Sequence, residues 1–256
     1  MSKIEIHQFQ ALSDNYGYLV HEPSSGATAA IDTPDAAAIL RALDEKGWTL
    51  THILNTHHHF DHAGGNAELK EKTGCVVIGP KGEKELIPGI DRAVGDGDIV
   101  ELGAARARVI EVPGHTRGHI AYSFADDRVA FVGDTLFALG CGRLFEGTPA
   151  QMWASLGKLM ALPDDTTVYC AHEYTQSNAR FALTVEPHNA ALRTRAREID
   201  EKRARGEWTV PTTIGLEKAT NPFLRAASKD LRATIGLEAA ADVDVFAETR
   251  HRKDNF

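Results

Sequence analysis

The sequence predicts an α/β protein in two parts, a β-rich domain over residues 1–172 and a smaller helical domain over residues 173–256. Three observations carry this. Short apolar or alternating segments, each bounded by turn residues, recur as far as Cys170, as strands should. A few helical stretches with recognisable start signals are inserted between them. After His172 the texture changes to long polar helical runs.

The expected strands begin with Ile4–Phe9, Tyr16–His21, Thr28–Asp32 and His52–Asn55. They continue with Cys75–Gly79, Ile99–Leu102, Ala107–Val112, Ile120–Phe124, Val129–Val132 and Thr167–Cys170. Pro34–Lys46 reads as a helix, with Thr33 as N-cap, Pro34 at the first helical position and Gly47 ending it. Thr148 and Pro149 open a second helix of the same kind, reaching Ala161. In the later part Asn189–Arg205 is helical and stops at Gly206, while Thr209–Pro222 reads as an irregular crossing. Ser228 caps a further helix, and the chain finishes in the charged ETRHRKDNF.

A chain of 256 residues can bury a large core, and its 43% hydrophobic and 25% charged residues are those of an ordinary globular protein. The net charge of −8 disfavours non-specific attraction to nucleic acid or anionic membrane. No apolar run is long enough to span a bilayer, and MSKIEIHQFQ has no signal-peptide core, so a cytoplasmic location is expected. Cys75, Cys141 and Cys170 are odd in number and far apart, which suits reduced thiols.

The decisive stretch is THILNTHHHFDHAGGN, residues 51–66. An apolar strand runs out at Asn55 and Thr56, and His57, His58, His59, Asp61 and His62 follow almost without interruption. Burying so many imidazoles and a carboxylate is costly unless they are paired or hold a metal. Alternate spacing puts His57 and His59 on one side of an extended segment, where both can meet one ion. Asp61 and His62 begin the next turn and are placed to face a second. His58 points the other way and reads as structural. Imidazole with carboxylate suits borderline divalent metals such as zinc, iron or manganese. A solvated polar loop is the bland alternative.

Four ligands cannot complete two sites, so more donors are needed at other strand ends. VPGHTRGH offers His115, VGDTLF offers Asp134 and YCAHEYT offers His172. Each alone reads equally well as a turn residue at a strand terminus. As a set they supply what the first cluster lacks. His119 already begins the next strand, which favours a supporting role.

Across nearly its whole length the chain resembles the metallo-β-lactamase-fold hydrolases and, within them, the glyoxalase II family. The resemblance rests on DNYGYL, THHHFDHAGGN, PGHTRGH, GDTLFALGCGR, AHEYT, NPFLR and the terminal RKDNF. It implies an αββα sandwich with a C-terminal helical domain. It also implies two divalent metal ions, one bound by His57, His59 and His115, the other by Asp61, His62 and His172, with Asp134 bridging them. Asp32, in AAIDTP, matches an acidic position that orients a ligand or a neighbouring loop.

The implied reaction is hydrolysis of a glutathione thioester, S-D-lactoylglutathione, to D-lactate and glutathione in methylglyoxal detoxification, by a monomer. Two cations sharing a water would present hydroxide near neutral pH and stabilise the developing oxyanion. Asp61 and Asp134 are the catalytic carboxylates, Asp61 as acceptor or relay of the water proton. Arg143, Phe145, Tyr174, Arg250 and Lys253 are implied around the substrate. Some relatives carry Lys and Tyr where this chain has Arg143 and Phe145, so one hydroxyl is missing here. Without the resemblance, Arg250–Lys253 would read as a solvated charge run. Cys141 reads as a packing or site-wall residue, since nothing in the sequence activates it as a nucleophile.

Rivals within the same fold are a persulfide dioxygenase, a lactonase, a β-lactamase and an RNA-processing nuclease. Asp134, where many β-lactamases place a cysteine, argues against that branch, and the acidic chain shows no added RNA-binding arm. A catalytically dead scaffold is the rival of another class, and the complete donor set counts against it.

Overall fold

Strands β1 (Glu5–Ala11), β2 (Asn15–Glu22) and β3 (Ala27–Ile31) pair antiparallel, with Phe9 opposite Gly17 and Tyr18 opposite Ile31. Helix α1 (Ala36–Lys46) then returns the chain, so that β4 (His52–Leu54) joins β3 in parallel. After α2 (Phe60–Ala63) and α3 (Asn66–Thr73), β5 (Val76–Pro80) and β6 (Arg92–Val94) extend the parallel half to a six-stranded sheet. β3 and β4 are short continuous apolar runs because both faces of this half are covered.

On one face Ile39 and Leu43 of α1 and Leu69 of α3 pack with Leu19, Ile53 and Val77 of the sheet. Each such burial stabilises the fold by about 1.5–3 kcal/mol. On the other face Tyr18 meets Phe131, ring centroids 5.5 Å apart. Phe131 belongs to an antiparallel meander of β7 (Ile99–Leu102), β8 (Ala105–Glu111), β9 (Ile120–Phe124) and β10 (Val129–Gly133). β8 alternates buried Ala105, Ala107 and Val109 with exposed Arg106 and Arg108, the period of a strand with one solvated face.

These elements make up the first of two units in this computed structural model, which describes residues 3–256. The first unit runs to Glu111 and resumes over Thr116–Gly133, and the second comprises Val112–His115 and Asp134–Phe256. The packing therefore divides at Gly133, while the sequence texture changes at His172.

The second unit begins with a small hairpin, β11 (Leu136–Phe137) and β12 (Gly140–Cys141). Helix α4 (Pro149–Met160) follows, started by a capping box in which Thr148 and Gln151 serve each other's backbone. β13 (Thr167–Cys170) leads into α5 (Thr175–Val185) and α6 (Ala190–Ala204). Leu139, Ala179, Ala182, Leu192, Ala196 and Ile199 form their shared core. Then come β14 (Thr212–Thr213), paired with β13, and helices α7 (Ile214–Thr220), α8 (Lys229–Ile235) and α9 (Asp242–Asp254).

Two expectations are corrected. The N-cap of α1 is Asp35, whose carboxylate accepts from the amides of Ala37 and Ala38 at 2.9 and 3.2 Å. Thr33 is instead turned inward, donating to Asn66 Oδ1 at 2.7 Å. Thr209–Pro222 is also more regular than expected, because Pro211 and Pro222 flank α7 and do not interrupt it. Thr213 caps that helix at the amide of Leu216. Arg195, Glu217 and Thr212 lock the segment in a buried hydrogen-bonded ion pair.

Candidate active site

In the first unit the site grows from the end of β4. The Asn55 amide completes the strand by donating to Ile78 O at 2.8 Å, and Tyr122 Oη caps Asn55 O at 2.9 Å. Beyond this point the chain coils into the histidine loop and is held there by Asn55 Nδ2 donating to His62 O. His57 and His62 are buried, and His59 and Asp61 are partly so.

Asp32 organises this loop. It stands at φ 57°, a conformation that side chains seldom adopt and that persists where the surroundings impose it. Its carboxylate accepts from the Thr56 amide at 2.7 Å and from Thr56 Oγ1 at 2.8 Å, and it meets His62 Nδ1 at 2.8 Å. That contact turns His62 Nε2 toward Asp61 Oδ2, 3.5 Å away. Asn15 Nδ2 holds the same Asp61 oxygen at 3.2 Å. His57 Nε2 lies 3.0 Å from His59 Nδ1. His119, fully buried, stacks on the His57 ring at 4.6 Å. Position 133 must be glycine here, since a Cβ would come within 2.6 Å of Thr56 Oγ1 and 2.7 Å of the His119 ring, at φ 48°.

In the second unit Asp134, at the end of β10, faces two imidazoles. Its Oδ2 is 3.3 Å from His115 Nε2 and its Oδ1 is 3.4 Å from His172 Nε2. The other ring nitrogen of His115 bonds Arg143 O at 2.9 Å, which fixes which nitrogen is presented to Asp134. His172 is stacked on Tyr174 at 4.8 Å and meets the edge-on ring of Phe137 at 5.9 Å.

The donor sets suit a metal. Two donors at ~2.0–2.1 Å from one tetrahedral ion stand about 3.3 Å apart. The observed pairs stand 3.0, 3.3, 3.4 and 3.5 Å apart. Nitrogen and carboxylate oxygen are the donors that zinc, iron and manganese share.

His115 and Asp134 also form part of the wall of a cavity of about 620 Å³. Phe137, Phe145 and Tyr174 give it aromatic sides, and Arg143, Arg180 and Lys253 give it cations. A pocket of this size with few convergent charges fits a small ligand of mixed polarity.

Known proteins resemble this chain along its whole length. Residues 22–172 match the family model of the metallo-beta-lactamase superfamily, and residues 173–256 match that of the hydroxyacylglutathione hydrolase C-terminus. The hydroxyacylglutathione hydrolase of Maricaulis maris is 58% identical over 256 residues, all of both chains. That of Methylococcus capsulatus is 58% identical over 253 residues, covering 99% of each chain. This chain belongs to the hydroxyacylglutathione hydrolase family. Among solved structures, one described as a di-iron-bound form is 26% identical with a TM-score of 0.62, covering 86% of this chain and 100% of that one. With family membership comes the αββα fold of the metallo-β-lactamase superfamily, carrying a C-terminal helical domain.

In this chain the residues expected around a substrate differ in how they are held. Arg143 and Phe145 are exposed at the cavity, with Phe145 edge-on to His115 at 5.2 Å. Lys253 Nζ reaches Ser177 Oγ at 3.3 Å. Burial lowers its pKa, and Arg250 and Arg143 nearby lower it further. Arg250 is only 4% exposed. Its guanidinium donates to Cys141 O at 2.9 Å and to Asp254 Oδ1 at 2.8 and 3.1 Å, so it braces the cavity wall. The Cys141 thiol is pushed up to about 11 by burial, against the pull of Arg250, and is no nucleophile at neutral pH.

Sequence reasoning missed Ser177, Asn178 and Arg180 on α5, along with Phe137, Asp254 and Phe256. The i, i+3 spacing of Ser177 and Arg180 was the available signal, since it puts both on one helix face.

Proposed function

We propose that this enzyme hydrolyses hydroxyacylglutathione thioesters, S-D-lactoylglutathione foremost, to D-lactate and glutathione, as the last step of methylglyoxal removal. The observation that carries this reading is the cavity in which His115 and Asp134 share a wall with the cations Arg143 and Lys253. Glutathione is anionic at its carboxylates, and such a wall attracts it despite the acidic chain. The full-length likeness to proteins named hydroxyacylglutathione hydrolase supports the same assignment.

His57, His59 and His115 would hold one divalent ion, Asp61, His62 and His172 a second, and Asp134 both, with zinc the expected metal. When bound, such ions would lower the pKa of a shared water and polarise the acyl carbonyl. Asp61, with its side chain 39% exposed and steered by Asn15, accepts the proton of the attacking water. The water oxygen bonds to the acyl carbon, the carbon–sulfur bond breaks, and glutathione leaves as its thiolate. Arg143 and Lys253 hold the peptide carboxylates, and Tyr174 and Phe145 flank the thioester. The domain boundary would then fall at His172, with the metal donors, Arg143 and Phe145 in residues 1–172 and Tyr174 and Lys253 supplied by residues 173–256. A cytoplasmic site of action fits three buried cysteines that form no disulfide. Among the described residues no helix is long and apolar enough to cross a membrane.

Metal analysis of the purified protein alongside hydrolysis of S-D-lactoylglutathione tests the reading. About two ions per chain are expected, with Asp134→Ala losing metal and nearly all turnover. Full turnover with a single ion would sink the dinuclear reading, and no turnover of the thioester by the loaded protein would sink the substrate.

A further inference from the structure

Glu83 sits in the charged run KGEKEL, where a solvated side chain would be unremarkable, yet it is only 4% exposed. Its carboxylate collects three donors. Oε2 accepts from the His58 amide at 2.9 Å and lies 2.8 Å from His58 Nδ1, while Oε1 accepts from the Gly118 amide at 2.7 Å. His58 lies between His57 and His59 in the chain, and Gly118 lies between His115 and His119. One buried carboxylate therefore fastens the backbone of two separate histidine segments.

The backbone around it is shaped for that contact. A Cβ on Gly82 would come within 3.0 Å of Gly118 Cα, and a Cβ on Gly118 would come within 2.7 Å of Glu83 Cγ and 2.9 Å of the Gly82 carbonyl carbon. Only two glycines permit this approach, and the approach puts Glu83 beneath the Gly118 amide.

We propose that Glu83 is a positioning residue for the metal-binding histidines His57 and His59, clamping the backbone of their loop to that of Gly118, beside the buried His119. The proposal rests on the reading of those histidines as metal ligands. The clamp needs an acceptor on both oxygens. Glutamine, nearly the same shape, would set an amide N–H against the N–H of either His58 or Gly118, leaving a buried donor unmet.

The test is zinc titration of the metal-free protein against a chromophoric chelator, for the parent, Glu83→Gln and Gly82→Ala, with kcat, KM and Tm read alongside. Glu83→Gln is expected to weaken at least one zinc site about ten- to a hundredfold, as loss of an outer partner does elsewhere. kcat should fall with it and KM for the thioester should stay. Gly82→Ala alters no polar group, so a smaller loss of zinc affinity there identifies the clamp itself. Parental zinc affinity in Glu83→Gln, with or without a lower Tm, overturns the proposal. If that variant does not fold, parental affinity in Gly82→Ala overturns it. A parent that takes up two zinc ions keeps the ligand reading intact in either case, whereas a parent that takes up none removes both.

Discussion

His115 and His119 stand four residues apart in one segment, yet they have different surroundings. His115 presents Nε2 to Asp134, while His119 is fully buried against the His57 ring. His115→Ala should therefore cost metal and activity by more than the roughly ten- to hundredfold typical of losing an outer partner. His119→Ala should keep its metal and lose stability, because it opens a cavity beside His57. Metal titration and thermal melts of the two variants check this, and the reverse order would mean that the ligand is misassigned. Lys253 and Arg250 separate in the same way. Lys253→Ala should raise KM for a glutathione thioester about tenfold, as for a lost hydrogen bond to a charged group. It should leave hydrolysis of a small thioester lacking the carboxylates unchanged. Arg250→Ala should lower Tm as well, since its guanidinium ties Cys141 O to Asp254. A KM effect with no change in Tm would favour the substrate contact expected of Arg250 over bracing alone. The imidazoles and carboxylates of the site were legible because each follows an apolar strand. Glu83 and the bracing role of Arg250 were not, because a charged residue in a charged run carries no mark of its burial.

Among the elements, helices with a polar cap and a closing glycine or proline were the most legible. Thr148, Asn189 and Ser228 each bond the amide that an N-cap should. The cap of α1 was displaced by two residues because both Thr33 and Asp35 are cap-forming types, and only packing with Asn66 shows which is free to cap. β11, β12 and β14 span two residues each, too few for any period to show. The end of α5 carries a prediction of its own. Glu186 receives Arg225 at 2.7 Å, Ser228 at 2.5 Å and Asn189 at 3.2 Å. Burial works to raise its pKa, but these hydrogen bonds together hold it below the usual carboxylate value. The stabilisation is therefore complete above about pH 4.5, where an unfolded glutamate ionises, and fades as pH falls through the lower folded value. Arg225→Gln should be less stable than the parent at pH 6, and the gap should close on acidification below about pH 4. Urea midpoints across that range measure it, and a gap independent of pH would discount the carboxylate.

At the scale of the whole molecule, the fold class followed from the alternation of strand and helix patterns, but the packing break at Gly133 did not. A unit assembled from residues 112–115 and 134–256 depends on contacts between distant segments, which no local pattern encodes. Charge is likewise uneven. The chain carries a net −8, yet Arg143, Arg180 and Lys253 line one cavity, so the average says little about what that cavity attracts. The three cysteines have a consequence of another kind. Cys75, Cys141 and Cys170 are all buried, and burial raises each thiol, Cys141 to about 11 and Cys170 to about 12. A thiol attacks aldehydes and alkylating agents only as its anion. The native protein thus offers almost no sulfur nucleophile to the reactive carbonyl compounds whose removal it would complete. Brief exposure to a charged alkylating agent should label none of the three in the folded protein and all three in urea, so that a cell flooded with electrophile would spare this catalyst until it unfolds.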